Sequence, residues 1–416
     1  MRTRQPEVSR VASAGYRWYV AAQATSMVGT SMSYAALYWL GIHAAHGNAL
    51  VLAVLVAAQF APIPLLSGRA AAVLTRCRSA RLVVTQAAQA AGALLIAIPM
   101  LAGREAVWYL CVVSCAIGCA QAFDVPGRQM FMLDLVGERE LRRGVSLYST
   151  ILGLSKILGP AIAGGIIASA GEAPVFLINA VSFVFVICVL LRVARPAPPP
   201  GSSSAAGEAA AAGPVTARRF RWLLTLPRGV VAVIGMSLLM GGLAYQFEVT
   251  NPLMATDIFR LSPVGYGVIG ALLAAGGIAG SYYSSRRGDP GDREYLLWSG
   301  LFGAAEIGAA LAPGVWAYGA AMVVLGALLS LFTSSSLVFI QKATPAAQRP
   351  YAVSAYNAAF IGFVPAGAFL VTAIAATAGT RWSILIPGTA VAACAALARI
   401  TPARISSPSE SAAPAV

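Results

Sequence analysis

The chain has 416 residues, of which 58% are hydrophobic and only 11% are charged, and its formal net charge is +14. A soluble protein of this length needs far more charged residues to cover its surface, so the composition excludes an ordinary soluble globular protein. A membrane-spanning helix needs about 20 predominantly apolar residues. The sequence contains about twelve such stretches, at 17–42, 49–74, 81–102, 107–127, 144–169, 174–194, 229–255, 263–285, 294–313, 315–340, 351–376 and 382–402.

The positive charge is distributed unevenly between the two sides of the predicted membrane. With the N-terminus inside, the loops on the outer side hold only Arg104, Arg260 and Arg381, while the other loop arginines lie on the cytoplasmic side. This asymmetry is typical of membrane topology and not of nucleic-acid binding. We therefore expect a multi-pass protein of the plasma (inner) membrane with both termini in the cytoplasm.

A segment rich in proline, serine, glycine and alanine, "PAPPPGSSSAAGEAAAAGP", divides the predicted helices six and six. We expect an N-terminal half at 1–195, a flexible cytoplasmic linker at 196–226, a C-terminal half at 227–402 and a disordered cytoplasmic tail at 403–416. The two halves are also weakly similar. "VSLYSTILGLSKILG", from Val145, aligns with "VSAYNAAFIGFVPAG", from Val353. Such an internal repeat predicts a transporter with its site at the midplane between the halves.

Ionisable side chains at membrane depth cost about 2.5–3.5 kcal/mol on insertion scales, so they are candidates for function. Lys156, in predicted helix 5, lies about 12 residues into its helix, hence roughly 18 Å deep at 1.5 Å per residue. It must therefore face a cavity or an acid, either in transport or in a structural ion pair. Its partner is not evident from the sequence.

Two acids accompany this lysine in the C-terminal half. Glu248, in predicted helix 7, is suited to carry a proton, because a carboxyl can be protonated in an apolar cavity and ionised in a wet one. Alternatively, it lies in a permanently hydrated outer vestibule. Glu306, in predicted helix 9, has only small neighbours in "GAAEIGAAL" and could couple transport or pair within its half.

Neutral polar side chains are candidates for hydrogen bonds to a substrate in the central cavity. They are Gln23, Asn179, Tyr245, Gln246, Asn251 and Asn357.

Helix 5 also contains several glycines around a Gly-Pro step. Small residues let helices approach closely, and a proline removes one hydrogen bond within the helix. Gly153, Gly159, Pro160, Gly164 and Gly165 are therefore interpreted as packing and hinge positions between the halves.

Several of these features together resemble the major facilitator superfamily. Within it, "FDVPGRQMFMLDLV", "LSKILGPAIAGG" and "FLINAVSFVFV" are similar to the enterobactin-exporter-like branch, also described as transmembrane secretion effectors. The resemblance implies an all-α membrane fold of about twelve helices in two pseudo-symmetric halves. It further implies a monomeric exporter of small organic molecules, such as siderophores or antibiotics, driven by protons and without a metal or other cofactor.

The same resemblance assigns roles to individual residues. Asp124 and Arg128 occupy the branch's aspartate and arginine positions at the end of helix 4, and their i, i+4 spacing allows an ion pair. Lys156 stands where the branch usually has arginine. In the loop between helices 2 and 3, Thr75 replaces the aspartate of the superfamily's cytoplasmic gate, and Arg76 remains in place.

Alternative functions remain open on the same fold. The chain could be an uncoupled facilitator or importer, or a transporter-like sensor that binds a ligand without moving it. A membrane enzyme is disfavoured, because the sequence has no Gly-rich phosphate loop, no metal-ligand cluster and only two histidines.

Overall fold

The predicted apolar stretches form helices, and no strand occurs in the part of the chain that the structure describes. The computed structural model describes residues 14–44, 49–66, 78–103, 106–136, 141–193, 226–287, 290–291, 293–345 and 348–400. The predicted linker at 196–226, apart from its last residue, the predicted tail at 403–416 and the gate residues Thr75 and Arg76 lie outside these ranges.

Six helices make up the described part of the N-terminal half. They are α1 Ala14–Ala44, α2 Ala49–Phe60, α3 Arg78–Leu101, α4 Val107–Val136, α5 Leu141–Ala170 and α6 Ala173–Val193. The C-terminal half has six more, of which α7 and α11 are interrupted. They are α7 (Arg228–Leu239, Met240–Ala244, Phe247–Leu253 and Met254–Ile258), α8 Pro263–Arg286, α9 Glu294–Ala310, α10 Val315–Ala343, α11 (Arg349–Gly362 and Val364–Ala378) and α12 Trp382–Ile400.

Among the described residues, ten helices are long and apolar enough to cross a membrane. The chain is therefore a multi-pass membrane protein. The two helices outside this set are α1 and α9. Helix α9 has only 17 residues, and α1 carries polar side chains on its buried face, including Gln23, Ser26 and Ser33. These buried polar groups lower the hydropathy of α1.

Contacts between helices repeat from one half to the other. In the N-terminal half α1 packs against α5 and α3 against α6, and in the C-terminal half α7 packs against α11 and α9 against α12. Between the halves, α5 packs against α8 and α2 against α11. If each helix number is advanced by six in a cycle of twelve, the α5–α8 contact becomes the α11–α2 contact. The packing thus has the twofold pseudo-symmetry that an internal repeat produces.

The two ends of the bundle differ in how the halves meet. We call the end with the α1–α2, α5–α6, α7–α8 and α11–α12 connections the short-loop end, and the opposite end, near Ala14 and Ile400, the terminal end. One buried apolar cluster at the short-loop end includes residues of both halves, such as Leu55, Leu253 and Val371. The other two described clusters belong to one half each. The halves are therefore joined at the short-loop end.

The contact between α5 and α8 is made by backbone as much as by side chains. A Cβ atom at Gly164 would lie 2.5 Å from the carbonyl oxygen of Pro263, which is too close for any side chain. A Cβ atom at Gly267 would likewise clash with the carbonyl oxygen of Pro160. Small residues at these positions let the two helices touch directly.

Other glycines of α5 differ in their surroundings. A Cβ atom at Gly159 would meet Ser31 of α1, and one at Gly153 would lie 3.2 Å from Ile278 of α8. At Gly165 it would meet nothing within 4 Å, so close packing does not explain that glycine. Helix α5 continues without interruption through Pro160.

Candidate substrate and proton site

Helix α7 is interrupted near the middle of its length. A π-helical turn at Met240–Ala244 precedes Tyr245 and Gln246, which leave the helix, and α-helix resumes at Phe247. The side chain of Gln246 donates a hydrogen bond to the carbonyl oxygen of Gly241 at 2.8 Å and so satisfies a backbone group that the break exposes. Interruptions of this kind often occur at functional sites. Here the break positions Glu248 in the first turn of the resumed helix.

Glu248 is half-buried, and its Oε2 atom is buried without a hydrogen-bond partner. Its carboxylate interacts electrostatically with Lys156 of α5, from the opposite half. The two ion pairs within 4 Å among the described residues are Asp124–Arg128 and Arg287–Glu294, so the charged atoms of Lys156 and Glu248 lie more than 4 Å apart. Lys156 itself is exposed. Lys156 therefore acts electrostatically on Glu248 across the boundary between the halves.

Three tyrosines share the environment of Glu248. The hydroxyl groups of Tyr38, Tyr245 and Tyr266 each interact electrostatically with its carboxylate. Tyr266 of α8 also stacks on Trp39 of α1, with ring centroids 5.3 Å apart, and so connects the two halves. The sequence did not single out Tyr38 or Tyr266, because isolated aromatic residues are common in membrane helices.

Glu306 occupies a different place, inside the C-terminal half. It is only 2% exposed, and its Oε2 atom has no hydrogen-bond partner. A Cβ atom at Gly388 of α12 would lie 2.7 Å from that of Glu306, so α9 and α12 are tightly packed at this level. The hydroxyl of Tyr318 of α10 interacts electrostatically with the carboxyl group of Glu306. The same hydroxyl donates a hydrogen bond to Asn251 Oδ1 at 2.8 Å.

Asp124 and Arg128 form the ion pair that their spacing predicts, with Arg128 Nε 2.7 Å from Asp124 Oδ2. Both side chains are buried. The other carboxylate oxygen, Oδ1, accepts hydrogen bonds from Thr85 at 2.9 Å and from Gln86 at 2.6 Å, both on α3. The pair therefore links α3 to α4 within the N-terminal half.

The neutral residues predicted to line a cavity fall into two groups. Asn179, Gln246 and Asn251 have partners within their own half, since Asn179 donates to Ser33 at 2.8 Å and the other two make the bonds described above. Gln23, Tyr245 and Asn357 are not engaged in this way. Gln23 is buried with neither amide atom paired, Tyr245 contacts Phe247 and Phe360, and Asn357 is exposed.

Comparison with known families and structures places this geometry in context. The model of a family described as transmembrane secretion effector matches residues 8–413. No curated protein sequence matches the chain.

Solved transporter structures share the fold at low sequence identity. A POT family transporter, solved in complex with a thioalcohol-conjugated peptide, has a TM-score of 0.72 and 11% identity, over 94% of this chain and 97% of its own. A bacterial homolog of the human lysosomal transporter Spinster, inward-facing and unoccupied, has a TM-score of 0.70 and 12% identity, over 92% and 96%. The nucleoside transporter NupG has a TM-score of 0.70 and 13% identity, over 92% and 98%. At these identities the likeness shows the fold alone.

Proposed function

Since the chain belongs to the transmembrane secretion effector family of major facilitator transporters, we propose that it exports small organic molecules in exchange for protons. Membership of this family establishes that the chain is a membrane transporter of small molecules. The direction, the cargo and the coupling ion are our proposal. The observation that carries it is the electrostatic interaction of Glu248 with Lys156, an acid and a cation from opposite halves.

Glu248 is the proposed proton carrier. A buried carboxylate without a hydrogen-bond partner is costly when charged, so its protonation depends on whether water reaches it. Because it lies where the halves meet, a rocking motion changes that access. The proton would bind at Oε2, the unpaired oxygen. Lys156 would favour the ionised form whenever the two side chains approach.

The tyrosines around Glu248 give the site its preference for cargo. Tyr38, Tyr245 and Tyr266 combine apolar ring faces with hydroxyl groups, and Trp39 extends the aromatic surface. Such a lining suits planar, partly polar organic molecules, since pockets for small ligands combine apolar walls with a few polar groups. Siderophores and aromatic antibiotics fit this description.

The described conformation fits the cargo-loading step of the proposed export cycle, while the direction itself is taken from the family match. The halves are joined at the short-loop end, which the charge asymmetry of the sequence assigns to the outside. A protein in this state would await its cargo from the cytoplasmic side. Release would then require the α5–α8 and α2–α11 contacts to separate.

The proposal can be tested with the full chain reconstituted in liposomes and a catecholate siderophore or ethidium as the probe. We expect the probe to accumulate against its concentration gradient when a pH gradient is imposed, and accumulation to stop when nigericin collapses that gradient. Internal pH, followed with pyranine, should change only when the probe is present.

The other functions give different results in the same assay. Equilibration to equal concentrations, unaffected by the pH gradient, would identify an uncoupled facilitator. Saturable binding of the probe without movement would identify a sensor. Either result would overturn the proposal.

A further inference from the structure

A groove at the terminal end of the C-terminal half lies apart from the proposed proton site. It has a volume of about 290 Å³ and runs along α10, between the end of α8 and the start of α9. We call it the α10 groove. The described residues that line it all belong to the C-terminal half, so a movement of one half against the other leaves its walls together.

The α10 groove contains one guanidinium group that the protein holds in place. The guanidinium carbon of Arg287 lies over two aromatic rings, 5.2 Å from the ring centroid of Tyr283 and 5.6 Å from that of Trp298. Its Nη1 donates to Glu294 Oε1, while Glu294 Oε2 accepts from the backbone of Gly291. A guanidinium has five N–H donors. The Arg287 side chain is still 41% exposed, so it is oriented in advance and retains donors for a further acceptor.

The lining of the α10 groove combines this charge with apolar walls. Arg287 and Glu294 lie at the terminal end of the bundle, where α8 ends and α9 begins. Leu331 lies 12 residues before the end of α10 at Ala343, hence roughly 18 Å deeper at 1.5 Å per residue. A ligand that fills the groove therefore needs a polar end and an apolar continuation.

The position of the groove fits the region of lipid headgroups. Tyr282 and Tyr283, in the last two turns of α8, are exposed large side chains. Tyrosine is enriched at membrane–water interfaces, where its ring and hydroxyl both find suitable surroundings. The charged end of the groove therefore lies at the level where phospholipid phosphates are found.

The chemistry of the groove selects the ligand. A guanidinium pairs with phosphate oxygens through two parallel hydrogen bonds, which makes phosphate the matching acceptor. The segment 286–294, "RRGDPGDRE", has three basic and three acidic residues, so it does not attract a ligand by net charge. A free phosphate ion would leave the apolar walls uncovered. A phospholipid satisfies both parts of the groove.

We propose that the α10 groove binds one membrane phospholipid, with its phosphate on Arg287 and part of an acyl chain against Trp298 and Leu331. The binding depends on no property of the cargo and on no coupling ion. It is therefore separate from the proposed export function, and either can fail without the other.

Native mass spectrometry of the delipidated full-length protein in detergent tests the proposal. The probes are dioleoylphosphatidylcholine and dioleoylglycerol, which has the same acyl chains but no phosphate. The choline lipid has no net charge, so the protein's net charge of +14 does not attract it. We expect one tightly bound phosphatidylcholine and no comparable dioleoylglycerol adduct. Millimolar inorganic phosphate should not displace the lipid, because it makes no contact with the apolar walls.

Neighbouring arginines provide a matched pair of variants. Arg287→Gln should weaken phosphatidylcholine binding about tenfold, since a hydrogen bond to a charged group contributes roughly 1.5–3 kcal/mol. Arg286→Gln should leave it unchanged, because the Arg286 guanidinium lies over Tyr282 instead, 4.9 Å from its ring centroid. Ser334→Phe, which fills the groove and keeps its charges, should also prevent binding.

Three results would overturn the proposal. Equal binding of the two probes to the wild-type protein would show that phosphate is not recognised. Displacement by inorganic phosphate would indicate a site for a free anion. Equal affinities of Arg286→Gln and Arg287→Gln would place the lipid elsewhere. The comparison of the two probes on the wild-type protein decides the question even if Arg287→Gln fails to fold.

Discussion

Two acids, Glu248 and Glu306, lie on helices of the C-terminal half, and their surroundings differ in one decisive respect. Glu248 faces the other half, with Lys156 and Tyr38 across the interface. Glu306 faces only its own half, between Gly388 and Tyr318. Both carry an unpaired oxygen. Burial alone therefore does not identify a proton carrier, and the decisive property is whether the surroundings change when the halves move.

The largest expected effect separates the two acids directly. Glu248→Gln keeps the size of the side chain but removes the proton site, so transport driven by a pH gradient should be abolished in proteoliposomes. Exchange of labelled for unlabelled probe at equal pH should persist, because it needs no net proton movement. Glu306→Gln is the matched control and should transport at a rate close to that of the wild type. The comparison fails if Glu306→Gln is the variant that loses gradient-driven transport.

A smaller effect is expected at Lys156, which acts through Glu248. Lys156→Ala should lower the rate of coupled transport without abolishing it, and Lys156→Arg should retain most of the wild-type rate, because the charge is preserved. In a double-mutant cycle with Glu248→Gln the two changes should not be additive, with an interaction energy of about 0.5–3 kcal/mol. The measurement is the initial rate of probe exchange at equal pH, which Glu248→Gln retains, for the four proteins. Additive effects would show that the lysine acts independently of Glu248.

The smallest effect concerns the static packing around Glu306. A Cβ atom at Gly388 would clash with Glu306 and with the Gly303 backbone, whereas one at Gly308 of α9 would meet nothing within 4 Å. Gly388→Ala should therefore destabilise the protein by about 1–3 kcal/mol through overpacking. Gly308→Ala should leave the melting temperature, followed by intrinsic fluorescence in detergent, nearly unchanged. Equal melting temperatures for the two variants would show that α9 and α12 are not rigidly packed at Glu306.

The sequence predicts the fold well, because the length of apolar stretches and the repeat around Val145 and Val353 depend on local composition. The family and the helical membrane architecture are confirmed by the family match and by the shared fold. The ion pair between Asp124 and Arg128 was also predictable, since both residues lie on one helix face.

Features that depend on long-range packing were not predictable in the same way. Glu248 lies 92 positions after Lys156 in the chain, and only the packing of the two halves lets their charges interact. The break in α11 at Phe363 has no counterpart in α5, although the two helices align in sequence. Proline alone does not explain the difference, because α5 continues through Pro160.

The direct contact of α5 and α8 has a consequence for insulation. Where Gly164 meets the carbonyl oxygen of Pro263, no side chain stands between the two backbones. A barrier formed by side chains can leak whenever one of them changes rotamer, but this one opens only if a whole helix moves. At this contact, opening the short-loop end would require α5 or α8 to move as a whole, and the backbone contact would insulate the two sides of the membrane until that movement is complete.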